Sequence, residues 1–294
     1  MTRMLDLVAD TRRMAYGSMS DQLNFLAQEY LLGDGTLTMM MDVDNITPGM
    51  VLSSGLNVWY VIGTEPAQRR VTVHAGYDNS RNDALPVGAP VMIRPRVTDW
   101  LLFGYLNDTV RALSSTTYGL YRQGMWEDAN TARVWGTYPI PADAQDMTNL
   151  IRVQVKYFFS TDLWVDINPN YVDWQPENDI IRIKDFVPSG MPIRFNYRAP
   201  FKPAASLTSD LEVDMGLAPS MHDIPALGAA VRLLRTTESR RSQIHNQGDS
   251  RRADEVQSGA NTAAATDLNR EFRQRVNDEY ARLLQQNPIT MAMP

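Results

Sequence analysis

A chain of 294 residues, 44% apolar and 21% charged with a net charge of −6, can bury a sizeable core in one large domain or two to three small ones. It holds no cysteine, which excludes disulfides, thiolate catalysis and Cys-ligated zinc. The acidic balance argues against general nucleic-acid binding. No apolar run approaches the about 18 residues that span a bilayer, and the opening Met-Thr-Arg-Met-Leu-Asp lacks the apolar segment of a signal peptide, so the expectation is a protein made in a cytoplasm with no membrane partner.

Residues 1–35 read as N-terminal helices. Met4, Leu5, Val8 and residues 11–15 form a first piece, broken near Gly17. Ser20 and Asp21 then offer an N-cap to residues 22–32, where Leu23, Leu26, Ala27, Tyr30 and Leu31 share one helical face. Gly33-Asp34-Gly35 closes that helix.

Residues 36–115 read as a small β-barrel-like unit with a helix. Residues 36–44 alternate as a strand, Ile46-Thr47-Pro48-Gly49 turns, and Met50 begins the next strand. Val58, Tyr60 and Ile62 alternate with Trp59 and Val61, and Val71 and Val73 with Thr72 and His74. Val91 and Ile93 repeat the pattern until Arg94-Pro95-Arg96 stops it. The total is about five strands, with Met39, Met40, Met41 and Met50 filling gaps in the core. Thr98 caps a helix in which Trp100, Leu101, Phe103, Tyr105, Leu106, Val110 and Leu113 recur near a 3.6 period.

A Gly-, Ser- and Tyr-rich loop over residues 114–124 leads to a central β-sandwich over 125–203. Its strands are predicted at 134–140, 150–159, 163–167, 180–186 and 192–201, with turns at Asn168-Pro169-Asn170, Gln175-Pro176-Glu177-Asn178 and Pro188-Ser189-Gly190. Trp135, Trp164, Trp174, Tyr157 and Phe158 supply its large apolar area. Were the tryptophans exposed on one face, they would instead suit a carbohydrate platform.

Residues 204–294 read as a connector and a C-terminal helical arm, which makes the fold class α+β. Asp223 and Pro225 open a helix with Leu227, Ala230, Val231 and Leu234 on one stripe. Residues 236–267 are polar and interrupted by Gly248 and Gly259, as in an arm that orders on binding. Asp267 is expected to cap a last helix with Leu268, Phe272, Arg275, Val276, Glu279 and Leu283 at helical spacing, a stripe too narrow to stabilise an isolated helix. Six arginines (Arg232, Arg235, Arg240, Arg241, Arg251, Arg252) against Glu238 and Asp249 make residues 232–252 locally basic, suited to an acidic protein partner or a phosphate, or to a solvated helix face.

Nothing in the chain spells a reaction. His74, His222 and His245 lie far apart without metal-ligand spacing, and His74 reads as a packed or hydrogen-bonded strand histidine. Asp42-x-Asp44-Asn45 lacks the glycine and terminal glutamate of a calcium loop. Asp42/Asp44 and Asp143/Asp146 become a hydrolase argument only with a cleft and separated pKa values. No cofactor is implied, and an enzyme is not expected.

Three stretches resemble neck proteins of tailed bacteriophages. Ala75-Gly76-Tyr77-Asp78-Asn79-Ser80, Gly88, Val91, Pro95-Arg96 and Leu113-Ser114 match that family's Arg-Gly-Tyr-x-Gly-Ser/Thr turn, downstream glycine, strand end and helix end, with Ala75 in place of Arg and Asn79 in place of the second Gly. Asn tolerates a left-handed backbone, so the turn survives. Leu23-Asn24-Phe25-Leu26-Ala27 is similar to the helix preceding the family's β-unit. Residues 224–234 with Glu238-Ser239-Arg240 are similar to its Leu-Pro-x-Gly/Ala-Ala-x-x-x-Leu-Leu and charged Glu-x-x-Arg, the last shorter here by one position.

The resemblance implies a virion structural protein in the neck between capsid and tail. It implies a head-to-tail adaptor whose copies form a ring, commonly dodecameric, docking on the portal protein and the next neck or tail protein while DNA passes without specific binding. An acidic wall suits such a conduit, because it does not retain a polyanion. The partner contacts are expected on Arg232, Arg235, Arg240, Arg241, Arg251 and Arg252 and on Leu268, Phe272, Val276 and Leu283. Another neck role, stopper or tail completion, and a glycan-binding sandwich of a phage tail centred on Trp164 and Trp174 are the alternatives.

Overall fold

The structure, a computed structural model, describes residues 2–17, 21–129, 136–156, 163–184, 190–246 and 260–286. It is α+β. The chain forms two compact units, each discontinuous in sequence: Met1–Val110 with Pro203–Asp214 and Pro219–Arg275, and Arg111–Lys202 with Met215–Ala218 and Val276–Pro294.

In the first unit, α1 (Met4–Tyr16) buries Met4, Leu7, Val8 and Thr11. Its first N–H groups, which have no partner inside a helix, are taken by the connector: Met4 N–H donates to Ser209 O (3.0 Å) and Leu5 N–H to Leu207 O (2.9 Å). An antiparallel sheet follows, in the order β1 (Gln22–Phe25), β6 (Pro90–Ile93), β3 (Val51–Ser54), β4 (Asn57–Glu65), β5 (Arg70–Ala75), β2 (Thr36–Thr38). Past β1 and β2 the two outer segments bridge at Leu26 and Met39, with Ala27 N–H on Thr38 O (2.8 Å) and Met40 N–H on Phe25 O (2.8 Å), so the sheet curls nearly closed. Inside it Trp59 and Tyr30 meet edge to face at 5.3 Å, among Leu26, Leu37, Val61, Val71 and Val91.

The expected second helix over residues 22–32 is therefore a strand and its continuation. The apolar residues there satisfy both periods, and Asn24 decides between them. Buried, its side chain accepts from the N–H groups of Phe25 (2.8 Å) and Met41 (3.0 Å) and donates to Met41 O (3.3 Å). These bonds fix an extended backbone and turn Leu26 inward, leaving Leu23 and Leu31 exposed. The strand expected over 36–44 stops at Thr38. Met39 is buried and Met50 packs against the core, whereas Met40 and Met41 are exposed.

α2 (Asp99–Leu113) is capped by Thr98, whose hydroxyl accepts from Leu101 N–H (3.3 Å), and buries Leu102, Leu106 and Val110. α3 (Asp223–Asn246) is buried on nearly all sides from Ile224 to Leu234 and packs against α1. A Cβ on Gly228 would overlap Thr109 Cγ2 of α2 and lie 3.0 Å from Phe272 Cε2 of α4 (Ala260–Gln286). Two helices thus cross α3 at the one position without a side chain. α3 runs on to Asn246 where a polar arm was expected. α4 begins seven residues before the expected cap Asp267, because Ala263, Ala264 and Ala265 extend the helix.

The second unit is a sandwich of two antiparallel sheets. One has the order β10 (Trp164–Asp166), β9 (Asn149–Lys156), β13 (Ile193–Ala199), β7 (Arg122–Asp128); the other has the order β11 (Val172–Gln175), β12 (Ile180–Ile183), β8 (Thr137–Pro139). Their inner faces share Tyr138, Val153, Ile181, Ile183, Phe195 and Tyr197. Trp126 stacks on Phe195 at 4.6 Å. β7 and β11 lie outside the expected strands. β7 has Gly124 at its centre, and the Tyr197 ring of the paired strand occupies the space a Cβ would need.

Two outcomes follow. Replacing Gly228 by Leu forces α2 and α4 apart and lowers unfolding free energy by about 2–3 kcal/mol, the cost of overpacking, measured by urea denaturation. The second concerns Asp99, whose carboxyl is held above the ordinary 3.8, first by burial, with Asp21 adding to the rise and Arg12 opposing it through charge and a hydrogen bond. The folded state therefore holds this proton more tightly than the unfolded chain, and Asp99's contribution is full below the unfolded pKa and lost as pH rises through the folded one. Relative to Asp99→Asn, the native chain gains stability as pH falls from 7 toward 4, read as a difference in melting temperature across a pH series.

Candidate functional site

The turn over residues 75–80 is closely specified by its backbone and its hydrogen bonds. Gly76 (φ 71°), Asp78 (φ 57°) and Asn79 (φ 55°) all take left-handed backbone, which costs an ordinary L-residue about 1–2 kcal/mol. Ser80 repays it. Its hydroxyl bonds both the N–H and the C=O of Val58 in β4 (3.2 Å each). Asn57 holds the next segment, accepting from Asp83 N–H (2.8 Å) and donating to Asp83 O (2.7 Å), and Trp100 donates to Asp78 O (3.3 Å). The turn lays Tyr77 on Tyr60 with ring centroids 5.7 Å apart, both exposed, and Ile62 beside them faces solvent from β4. His74 is exposed opposite Tyr60, not packed inside.

The predicted partner residues separate into distinct sets. Phe272, Val276 and Leu283 are buried within the chain itself, and Leu268 is half-buried. Phe272, Val276 and Leu283 of the α4 stripe therefore face the chain's own residues rather than a free surface, while Leu268 stays partly exposed. Arg275, on the same stripe, grips the start of α3 through Asp223 (2.7 and 3.0 Å) and Ser220 O (2.7 Å). Glu279, buried at 4% exposure, bonds Arg282 at 2.7 Å. Arg232 reaches Asp108 of α2 at 3.4 Å, while Arg235 is exposed. The side chains of Arg240 and Arg241, and all of Arg251 and Arg252, lie outside the described residues.

Trp164 and Trp174, proposed for a sugar platform, do not share a face. Trp164 stands in the four-stranded sheet under the Arg194 guanidinium, 3.9 Å from the ring centroid. Trp174 is in the other sheet and packs against the sandwich core. Trp135, Tyr157 and Phe158 lie outside the described residues.

Of the acidic pairs, Asp42 is engaged by Arg69 (3.2 Å) and Asp146 by Arg122 (2.7 Å). The guanidinium of Arg122, also bonded to Pro200 O (3.1 Å), is held above its ordinary pKa: burial lowers it, but Asp146 and Tyr197 together raise it more. Among the described residues no group of three or more His, Asp or Glu could hold a metal ion, and no helix is long and apolar enough to cross a membrane. What the surface offers is shape and charge at the 75–80 turn, along α3 at Arg235, and on the open face of the four-stranded sheet. No protein-family model matches the chain, and no curated protein matches it.

Ser80→Ala leaves the Val58 N–H without its partner and removes the clip that holds three left-handed residues. The expected loss is about 1–3 kcal/mol, measured by urea denaturation. Amide exchange across residues 76–82 is expected to accelerate more than exchange at Leu52.

Proposed function

We propose that this chain is a structural protein of a tailed-phage particle: a head-to-tail adaptor of the neck, whose copies form a ring that docks on the portal, receives the next neck or tail protein, and continues the channel for DNA. The observation that carries the reading is the 75–80 turn. The residues in which the sequence resembles neck proteins are the ones that take left-handed backbone and clip to β4. Asn79, which departs from the family's glycine, adopts φ 55°, the conformation the glycine would supply. Residues 224–234 add support, since the run similar to the family's Leu-Pro-x-Gly/Ala-Ala pattern is the buried N-terminal half of α3. Residues 23–27 no longer contribute, being a strand here and a helix in the family.

In this reading the chain makes and breaks no bonds; its work is to hold neighbours. Exposed Tyr77, Tyr60 and Ile62 on one outer face, and Arg235 on α3, are the surfaces it offers. The acidic body, net −6, repels the phosphate backbone and keeps the wall of a channel from becoming a binding site.

Arg235→Glu tests the docking role without touching the core. A phage carrying it is expected to fill heads normally and to yield about ten-fold fewer tailed particles, the change a lost interfacial charge contact brings, counted by electron microscopy of lysates. Normal joining with Arg235→Glu and with Tyr77→Ala together would remove both surfaces from the reading.

A further inference from the structure

The open face of the four-stranded sheet is positively charged on an acidic protein. Alternation along β13 sends Ile193, Phe195 and Tyr197 into the core and Arg194, Asn196 and Arg198 outward. Their partners in register continue that outer face: Glu127, Met125 and Gln123 on β7, and Gln154 and Arg152 on β9. Lys156 and Trp164 extend it, with the Lys156 ammonium 6.0 Å from the Trp164 ring centroid. The two carboxylates there are occupied: Arg194 holds Glu127 (2.7 and 2.9 Å), and the Gln154 amide donates to Asp166 (2.8 Å). Among the described residues Arg152, Lys156 and Arg198 have no carboxylate partner, and the Arg198 Nε–H is buried without an acceptor. Met125 stands among these cations at 54% exposure.

The first unit carries a surface of the opposite pattern. In the turn over residues 210–214, Asp210 Oδ1 accepts from the N–H groups of Glu212 (2.9 Å) and Val213 (2.8 Å), and Asp214 Oδ2 accepts from Asp210 N–H (2.7 Å). The bonds fix the loop before any partner arrives, which lowers the entropic cost of docking. The turn presents Glu212, Val213 and Asp214 to solvent, and Val213, at 75%, has the highest exposure of any large apolar side chain described. One surface is an apolar side chain between carboxylates; the other is an apolar side chain on a sheet face that carries cations.

We propose that these surfaces meet between copies of the chain: the 212–214 turn of one copy seats on the open sheet face of the next, with Val213 over Met125 and the carboxylates of Glu212 and Asp214 among Arg152, Lys156 and Arg198. The contact joins two different patches, so it is head-to-tail and propagates into a ring or a filament. It rests on the assembly reading for its occupant, a second copy; the pairing of the two patches rests on their chemistry. Three cations without a carboxylate among the described residues, of which Arg198 lies over the Tyr121 ring (4.3 Å), are too few to grip a polynucleotide strongly, and an exposed methionine on the same face favours a protein knob.

The absence of cysteine makes the test clean. Full-length Val213→Cys and Met125→Cys chains are mixed and mildly oxidised, and the products are mapped by mass spectrometry alongside sedimentation of the unmodified protein. A disulfide joining 213 to 125, formed in the mixture and in neither variant alone, is the expected result. Arg152→Glu with Arg198→Glu on the Met125→Cys chain is expected to cut the yield about ten-fold; adding Glu212→Arg with Asp214→Arg to the other chain restores it. Oligomers that form without the 213–125 link would overturn this contact and leave the assembly reading standing. A chain that stays monomeric at all concentrations and gives no link would overturn both. Capture of a single-stranded oligonucleotide by the sheet face, lost with the arginine replacements and without any link, would assign the face to nucleic acid instead.

Discussion

The first unit depends on one helix accepting neighbours at close range. From Ile224 to Leu234, α3 is buried on nearly every side, and it does so with Ala226, Gly228, Ala229 and Ala230 among its larger residues. Small side chains let α2 and α4 approach where Thr109 and Phe272 meet over Gly228. Larger ones would hold them off, and the stripes on those helices would then have nowhere to go. The polar fixings are arranged around this crossing. Arg275 ties α4 to the first turn of α3, Arg232 ties α3 to α2, and Asn107 of α2 exchanges two bonds with Ala204 of the connector (2.8 and 3.2 Å). The buried Asn107–Ala204 pair satisfies backbone groups that burial would otherwise leave unmet.

The sequence states this arrangement unevenly. The α4 stripe was legible because Phe272, Val276, Glu279 and Leu283 follow a single period, and all four are buried. Its destination was not legible: an apolar stripe signals that something covers it, and here the cover is the same chain. Residues 22–32 misled for a different reason. Leu23, Leu26 and Tyr30 fit a helical face, and Leu26 and Tyr30 also fit a strand's alternation. The deciding group was a polar one, Asn24, whose three bonds to backbone exist only in the folded sheet. β7 was hidden because its inward face sets Arg122, Gly124 and Asp128 beside the single apolar Trp126; Gly124 serves the packing by leaving room for the Tyr197 ring. By contrast the 75–80 turn could be read in advance, since left-handed backbone has few tolerant residues and the chain places Gly and Asn at two of the positions that need it.

The surfaces follow from the same accounting. Among the apolar groups left outside are Tyr60, Tyr77 and Ile62 around the turn, Met125 on the cationic sheet face and Val213 between carboxylates. Such groups cost solubility in a solitary protein and contribute contact area in an assembled one. In the proposed reading, that distribution and the acidic body suit a component that acts by holding copies of itself and its neighbours in place.

The central claim is that the working form is a ring of copies. Class averages from electron micrographs of the purified full-length chain, recorded at low salt to preserve contacts between charged surfaces, test it most directly. Closed annular particles with rotational symmetry and an open centre are the predicted result. Uniform single-chain particles, under those conditions and in the presence of the portal alike, would contradict it.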